Sequence, residues 1–374
     1  MREISTLEVA ALVKELKSIE GAHIGKFYEL RNGQFRIRLS REGEKINLNC
    51  ILSHTLNRSV YIEKQEEPTN FSLGIRAKTE GIRVNSVAQL NYDRIIDIDA
   101  GKEQGEVHII LEMFGKGNFI LTDGSMKIIM AYRIHDYRDR SIRPKVTYRP
   151  PKAAQQSIGD LSDDNIISNA LKELLGSCGK EQLLVAALVK ALNLGGIYVE
   201  EAVLSSGMEL KAKVGDVNDE RIESLAKCLG KIIGYAGKPE PKVFLENGRA
   251  IDYAICDIRK YEAMEKKAFA GVSEMLDFFY SINKVEEISE RSDITEQLKA
   301  SIKKQEELIE SVKLEAEESR AAGEGIFNRM TEINDLIRMA KQNKHITKEE
   351  LEKAFPGMKI LEVNLKDKTI SIEM

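Results

Sequence analysis

Asp93-Arg94-Ile95-Ile96-Asp97-Ile98-Asp99, followed by Val107 to Phe114 and then Gly115-Lys116-Gly117-Asn118-Phe119-Ile120-Leu121-Thr122-Asp123, is the stretch that decides the fold class. Its apolar runs are rich in β-branched residues and alternate, which predicts strands, and Gly115 to Asn118 predict a tight turn after the second run. An acid beside a cation at a strand entrance, as in Asp93-Arg94, is ordinarily a local ion pair or a turn cap. The neighbouring segments give it more weight.

Upstream, Ser5-Thr6-Leu7-Glu8 is a capping box that opens a helix to about Ser18, with Leu7, Ala11, Val13 and Leu16 on its apolar face. Strands are expected at His23 to Leu30, Gln34 to Leu39, Lys45 to Leu52 and Ser59 to Glu63, with Asn32-Gly33 as a hairpin turn and a short helix at Leu73 to Thr79. Residues 1–152 therefore read as a β-rich α+β domain.

Downstream, Lys127 to Lys152 holds eight basic residues: Lys127, Arg133, Arg138, Arg140, Arg143, Lys145, Arg149 and Lys152. Only Asp136 and Asp139 oppose them, and Tyr132, Tyr137 and Tyr148 are interleaved. Such a stretch suits phosphate contacts with base stacking, and equally a solvated connector marked by Pro144, Pro150 and Pro151.

From Leu161 the periodicity becomes helical, with amphipathic segments at Asp164 to Leu175, Glu181 to Leu192, Tyr198 to Leu204 and Asp219 to Ile233. Leu194-Gly195-Gly196-Ile197 divides two of them. That is either a helix-hairpin-helix, whose amides hold a phosphate, or a plain helix stop. Residues 240–285 begin with a β-hairpin around Asn247-Gly248 and return to helix. Over 286–342 a heptad register follows, with Ile302, Ile309, Ala316, Gly323, Met330 and Ile337 at a, and Leu298, Gln305, Val312, Ser319, Ile326, Ile333 and Ala340 at d. Residues 343–374 start a further domain with a helix capped by Thr347 and two strands around Lys366-Asp367; the chain reads as a truncated piece.

Composition narrows the function classes. Residues 1–152 carry 25 Lys and Arg against 20 Asp and Glu, and the remainder 31 against 40, so a basic head precedes an acidic tail. No apolar stretch is long enough to span a membrane, and the amino terminus lacks an apolar signal core, so a cytoplasmic protein is expected rather than a surface adhesin. Cys50, Cys178, Cys228 and Cys256 are scattered, and the five histidines show no ligand spacing, so no metal site and four reduced thiols are expected. No Gly-Lys-Ser/Thr phosphate loop is present, and no cofactor is implied.

The Asp93-Arg94 strand, the Glu112-Met113-Phe114-Gly115-Lys116-Gly117-Asn118 hairpin, the helical segment and the heptads together resemble the NFACT family, which includes bacterial RqcH and eukaryotic NEMF. The resemblance covers most of the chain, and divergent details suggest an archaeal member. It implies an amino-terminal domain similar to formamidopyrimidine-DNA glycosylase, a helix-hairpin-helix domain at 160–236 and a coiled coil. It implies a ribosome quality-control factor that binds the stalled large subunit with peptidyl-tRNA and recruits tRNA, alanine tRNA in bacteria, for carboxy-terminal tailing without mRNA. By the same resemblance Asp93, Arg94, Glu112 and Met113 engage tRNA, and Lys116 and Asn118 join them because the Gly115 to Asn118 tip offers backbone amides and one cation to RNA phosphate. Arg133, Arg138, Arg140, Arg143, Lys145, Gly195 and Gly196 are further candidate phosphate contacts. Asn193 stands where the family usually has glycine, which weakens phosphate binding at that turn. Glycosylase catalysis needs an amino-terminal proline amine, whereas Arg2 and Glu3 stand here, so a non-enzyme is expected. A glycosylase-like nucleic-acid binder without catalysis, or a coiled-coil scaffold that self-associates, is the alternative.

Overall fold

The computed structural model describes residues 2–373 except 32, 63–66, 103–105, 152–162, 344 and 365–366; the side chains of residue 31 and of many residues between 284 and 322 also lie outside the description. The expectations placed on Asn32, Glu63, Lys152, Leu161, Lys366 and the side chain of Leu298 fall outside the described residues. Two compact units are present, Met1–Glu286 and Glu287–Met374.

The first unit starts with α1 (Thr6–Leu16). Ser5 Oγ accepts the Glu8 amide while the Glu8 carboxylate accepts the Ser5 amide, so two orphan donors are satisfied at once. A four-stranded antiparallel meander follows: β1 (His23–Arg31), β2 (Gln34–Arg41), β3 (Glu44–Ile51) and β4 (Thr55–Arg58). Sequence reasoning put the last strand at Ser59 to Glu63, four residues late. The chain leaves the sheet at Ser59, where Val60 N donates to Asp277 (3.0 Å) and Ser59 Oγ accepts from Tyr61 N (3.1 Å). The distant Asp277 and the local Ser59 turn compete successfully with strand pairing.

After α2 (Asn70–Thr79) comes a five-stranded antiparallel sheet: β5 (Val84–Gln89), β6 (Ile95–Ala100), β7 (Val107–Glu112), β8 (Asn118–Asp123) and β9 (Ile128–Ala131). Aromatic rings join the two sheets, with Phe27 and Phe119 centroids 4.9 Å apart and Phe35 and Phe119 5.4 Å apart. The second sheet is covered on its other face too. Ile95, Ile110, Ile120 and Ile128 pack with Ile142 and Tyr148, which explains why β6 to β8 read as near-continuous apolar runs. The basic stretch that resembled a connector is therefore a lid on this sheet. It includes the short pair β10 (His135–Asp136) and β11 (Ser141–Ile142). Each fully buried aliphatic or aromatic residue it contributes is worth about 1.5–3 kcal/mol.

Four helices come next, α3 (Asp164–Gly176), α4 (Leu184–Leu192), α5 (Gly196–Ser205) and α6 (Asp219–Gly234). Their apolar faces share one continuous core with the sheets. The sheet β12 (Lys242–Glu246), β13 (Arg249–Ala254) and β14 (Glu265–Ala268) is built on a hairpin whose turn residues Asn247 and Gly248 are left-handed, at φ 50° and 79°. Next, α7 (Val272–Asn328) begins with Glu15 of α1 accepting its amides at Val272 (2.7 Å) and Ser273 (3.2 Å).

In the second unit α7 ends at Asn328 and α8 (Met330–Gln342) restarts after Arg329, whose ψ of 19° breaks the ladder. The single helix expected over 286–342 is thus two helices. Ile333 and Ala340, assigned to a coiled-coil seam, instead join Leu336 in a small core with α9 (Lys348–Ala354) and the hairpin of β15 (Lys359–Asn364) and β16 (Thr369–Glu373). Local packing decides that rotation. Among the described residues no helix is long and apolar enough to cross a membrane.

Candidate nucleic-acid interface

The hairpin between β5 and β6 turns at Leu90 to Asp93, where Asp93 N donates to Leu90 O at 3.0 Å. Asn91 and Tyr92 in the middle are both left-handed, at φ 51° and 49°. Beyond the turn, Asp93 Oδ1 accepts the Arg94 amide (2.7 Å) and the Asn193 side-chain amide (2.9 Å). Asn193 ends α4 in a left-handed conformation, φ 51° and ψ 27°, so the residue that departs from the family's glycine is the one that reaches Asp93. Arg94 Nη1 donates to Glu3 Oε2 at 2.6 Å, and its guanidinium lies 5.9 Å from the Phe114 ring. The Arg94 side chain is 26% exposed, and among the described residues its buried Nε has no hydrogen-bond partner. Asp93 and Arg94 are therefore not neutralised by each other. Each is oriented by a residue from a different segment, and Arg94 keeps part of its surface in solvent.

The turn before α5 lies against the same corner. Gly195 has φ 102°, and a Cβ there would stand 2.7 Å from Ser5 Cβ at the cap of α1. Its glycine is thus required by close approach as well as by backbone conformation. Gly195→Ala is expected to destabilise the first unit by about 1–3 kcal/mol, read as a lowered thermal midpoint; an unchanged midpoint would mean that Ser5 and the turn separate freely. Gly196, by contrast, has open space around it.

Several of the other sequence candidates are structural. Glu112 and Met113 are 1% and 0% exposed. Met113 belongs to the core between the sheets, and Glu112 forms an ion pair with Arg140 whose side chains are 2% and 5% exposed. Tyr148 Oη also donates to Glu112, at 3.0 Å. Burial alone would pull the Arg140 pKa down, but its hydrogen bond and charge pairing with Glu112 outweigh that and hold it above its ordinary value. Burial, and then the Glu112 charge, push the Tyr148 hydroxyl well up. Glu112, Met113 and Arg140 are corrected from surface contacts to interior groups, because the lid closes over them.

Asn118 is corrected likewise: it is 3% exposed and exchanges two 2.9 Å bonds with the Arg133 backbone. Arg133 donates to Lys116 O and Gly117 O (2.6 and 2.7 Å), and Ser53 Oγ donates to Gly115 O (2.6 Å), so the glycine loop is bolted down. Arg143 is exposed and paired with Asp136. Lys116, Arg138 and Lys145 are exposed. Among the described residues no cluster of His, Cys, Asp and Glu could hold a metal.

The corner holds a partly exposed Arg-Asp pair on a hairpin with the exposed ring of Tyr92 (48%); the same end of the sheet carries the exposed Lys116 loop and, through Arg140, the exposed ring of Tyr137 (43%), whereas Lys145 bonds Ile128 O towards the sheet's other end. Cations with exposed aromatics suit phosphate and unpaired bases. Sequence reasoning missed Asn193 as the partner of Asp93, Glu3 as the partner of Arg94, and Tyr92. The signal for Asn193 was its tolerance of the left-handed conformation; nothing local marked the other two.

A family model described as NFACT N-terminal and middle domains matches residues 5–368. The archaeal Rqc2 homologue aRqcH of Methanocaldococcus jannaschii is 23% identical over 354 residues, covering 91% of this chain and 52% of that protein. The human ribosome quality control complex subunit NEMF is 27% identical over 240 residues, covering 63% of this chain and 21% of that protein. The chain spans about half the length of the archaeal relative. Among solved structures, a fibrinogen binding protein from Staphylococcus aureus has a similar fold, with a TM-score of 0.60 over 74% of this chain and 98% of that one, at 18% identity.

Proposed function

The chain belongs to the NFACT family, and on that premise we propose that it serves ribosome quality control as an RNA-binding factor, not an enzyme. In this reading it engages the large ribosomal subunit that still holds peptidyl-tRNA. It recruits tRNA, alanine tRNA in the tailing version, so that the nascent chain is extended at its carboxyl terminus without mRNA. The observation that carries the reading is the Asp93-Arg94 tip. Asn193 and Glu3 orient it, and its guanidinium is left part in solvent. A guanidinium held in one orientation grips phosphate or stacks on a base, and a fixed carboxylate accepts from a base edge. The exposed Lys116, Arg138 and Lys145 supply the non-specific, salt-dependent share of binding.

The test is tRNA and large-subunit binding by the full chain against its Asp93→Ala/Arg94→Ala variant, over a series of salt concentrations. Two charge-assisted contacts at about 1.5–3 kcal/mol each predict at least a hundredfold loss. The melting midpoint is expected to fall by no more than about 5 °C, because the lost bonds are half-exposed. Equal binding by both proteins, or an unfolded variant, would defeat the assignment.

A second reading, self-association through α7, is favoured by one observation. Ile302, Ile309 and Val312 are 53%, 54% and 54% exposed on the helix, a row that apolar packing would cover. Sedimentation of the full chain at rising concentration distinguishes it from the RNA-binding role.

A further inference from the structure

We propose that Tyr92 is a stacking platform for an unpaired base of the RNA engaged by Asp93 and Arg94; this rests on the reading above and deepens it. The first ground is an internal comparison of two turns in the chain. At Asn247-Gly248 the two central residues take φ 50° and 79°, and glycine fills the second place. At Asn91-Tyr92 the angles are 51° and 49°, and the second place holds a bulky aromatic. Left-handed backbone crowds a Cβ, so a two-residue turn of this hand favours Asn-Gly, and tyrosine is a poor choice for folding.

The second ground is what the ring touches. Tyr92 is 48% exposed, and among the described residues it has no ring, cation or hydrogen-bond partner. It neither stabilises its turn nor packs in the core. Other tyrosines of this head have such neighbours: Tyr28 lies under Arg36, Tyr132 packs against Phe35 and Tyr137 meets His135 and Arg140.

The third ground is position. The turn is held from both ends, by Leu90 N to Ile95 O (3.0 Å) and by Gln89 Nε2 to Asp93 O (2.9 Å), and the neighbouring carboxylate is anchored to Asn193. A rigid tip that presents an aromatic ring beside an acceptor and a guanidinium contains the groups that capture a splayed nucleotide: a π-face for the base, an acceptor for its edge and a cation for its phosphate. The occupant is single-stranded or looped RNA rather than duplex, because a base must be unstacked to meet the ring.

The experiment compares the wild-type chain with Tyr92→Phe, Tyr92→Gly and the Asp93→Ala/Arg94→Ala variant, using tRNA for affinity and an RNA hairpin carrying 2-aminopurine in its loop for stacking. The chain has no tryptophan, so 2-aminopurine emission is read without an indole background. Tyr92→Phe is expected to bind within about twofold and to keep the quench of the probe. Tyr92→Gly is expected to lose about 5- to 100-fold in affinity together with the quench. Its melting midpoint should stay level or rise, because glycine relaxes the turn. The slope of affinity against salt should be unchanged in Tyr92→Gly and should fall by about one in the pair variant. Wild-type affinity and quench in Tyr92→Gly would overturn the stacking role while leaving the Asp93-Arg94 reading intact. A loss that tracks a falling midpoint would also overturn it. A wild-type chain that binds neither RNA would sink both.

Discussion

Replacing Glu112 with alanine is expected to destabilise the first unit by about 3–5 kcal/mol, a fall in the melting midpoint of roughly 10 °C. Glu112 ends β7, and its carboxylate receives the Arg140 guanidinium and the Tyr148 hydroxyl from the lid. Both partners lie in the same stretch that covers Ile95, Ile110 and Ile120. Without the carboxylate, a nearly buried cation and a buried hydroxyl lose their acceptor at the same moment, and the Arg140 bond to Arg149 O (3.2 Å) is a weak substitute. The cheapest response is for the lid to open, which exposes the isoleucines beneath.

The loss should largely disappear when all three groups are removed together. Glu112→Leu with Arg140→Met and Tyr148→Phe takes away the charge, its counter-charge and the hydroxyl, so most of the lost stability should return. That triple variant also separates structure from recognition. If Glu112 only holds the lid, the refolded triple variant binds tRNA as the wild type does. A stable triple variant that has lost tRNA binding would restore to Glu112 the direct role that family resemblance implies. Thermal melts and tRNA affinity on the same preparations decide the matter.

Glu8→Ala is the second large effect, also expected at about 3–5 kcal/mol. Glu8 is fully buried. Its carboxylate caps α1 through Ser5 N (2.7 Å), receives Tyr198 Oη of α5 (2.8 Å), and pairs with Arg2. Arg2 lies over the Tyr253 ring at 4.1 Å and reaches Asp252 Oδ1 at 3.1 Å, so the network ties the amino terminus to α5 and β13. Burial would pull the Arg2 pKa down, yet the nearby Glu8 charge above all holds it well above its ordinary value. Loss of Glu8 removes a cap, a buried acceptor and half of an ion pair in one step. Glu8→Gln keeps an acceptor and should cost clearly less. Equal melting midpoints for Glu8→Ala and the wild type would show that the network contributes no net stability. The same corner carries Glu3 and Ser5, which lie against Arg94 and Gly195, so both Glu8 variants should also weaken RNA binding if the proposed interface is correct.

Much of this architecture was legible from local chemistry. The Ser5-Glu8 capping box, the Asn247-Gly248 turn and the paired runs at β6 and β7 each depend on residues within a few positions of one another. The lid was not legible, because proline and cation content marks linkers, while the residues that anchor it, Ile142, Tyr148, Arg140 and Arg133, meet their partners on distant strands and loops. The heptads misled near Arg329 for a related reason: a seam is defined by what it faces, and Ile333 and Ala340 face their own small core.

The candidate site divides in the same way. Asp93 and Arg94 looked like an ordinary local pair and were singled out by the resemblance, but Asn193, which orients Asp93, lies 100 residues further on, and Glu3 lies 91 residues before Arg94. From sequence alone, Glu112, Arg140 and Asn118 were indistinguishable from Lys116 and Arg138, since polar side chains carry no mark of their eventual neighbours. Side-chain period, capping and turn stereochemistry act over a few bonds, so the chain by itself determined its strands, helix starts and hairpins. Which charges stay in water depends on what distant segments bring against them, because a buried charge is tolerated only with a partner. That choice belonged to the tertiary structure alone, and it separates the residues open to solvent from those that hold the fold.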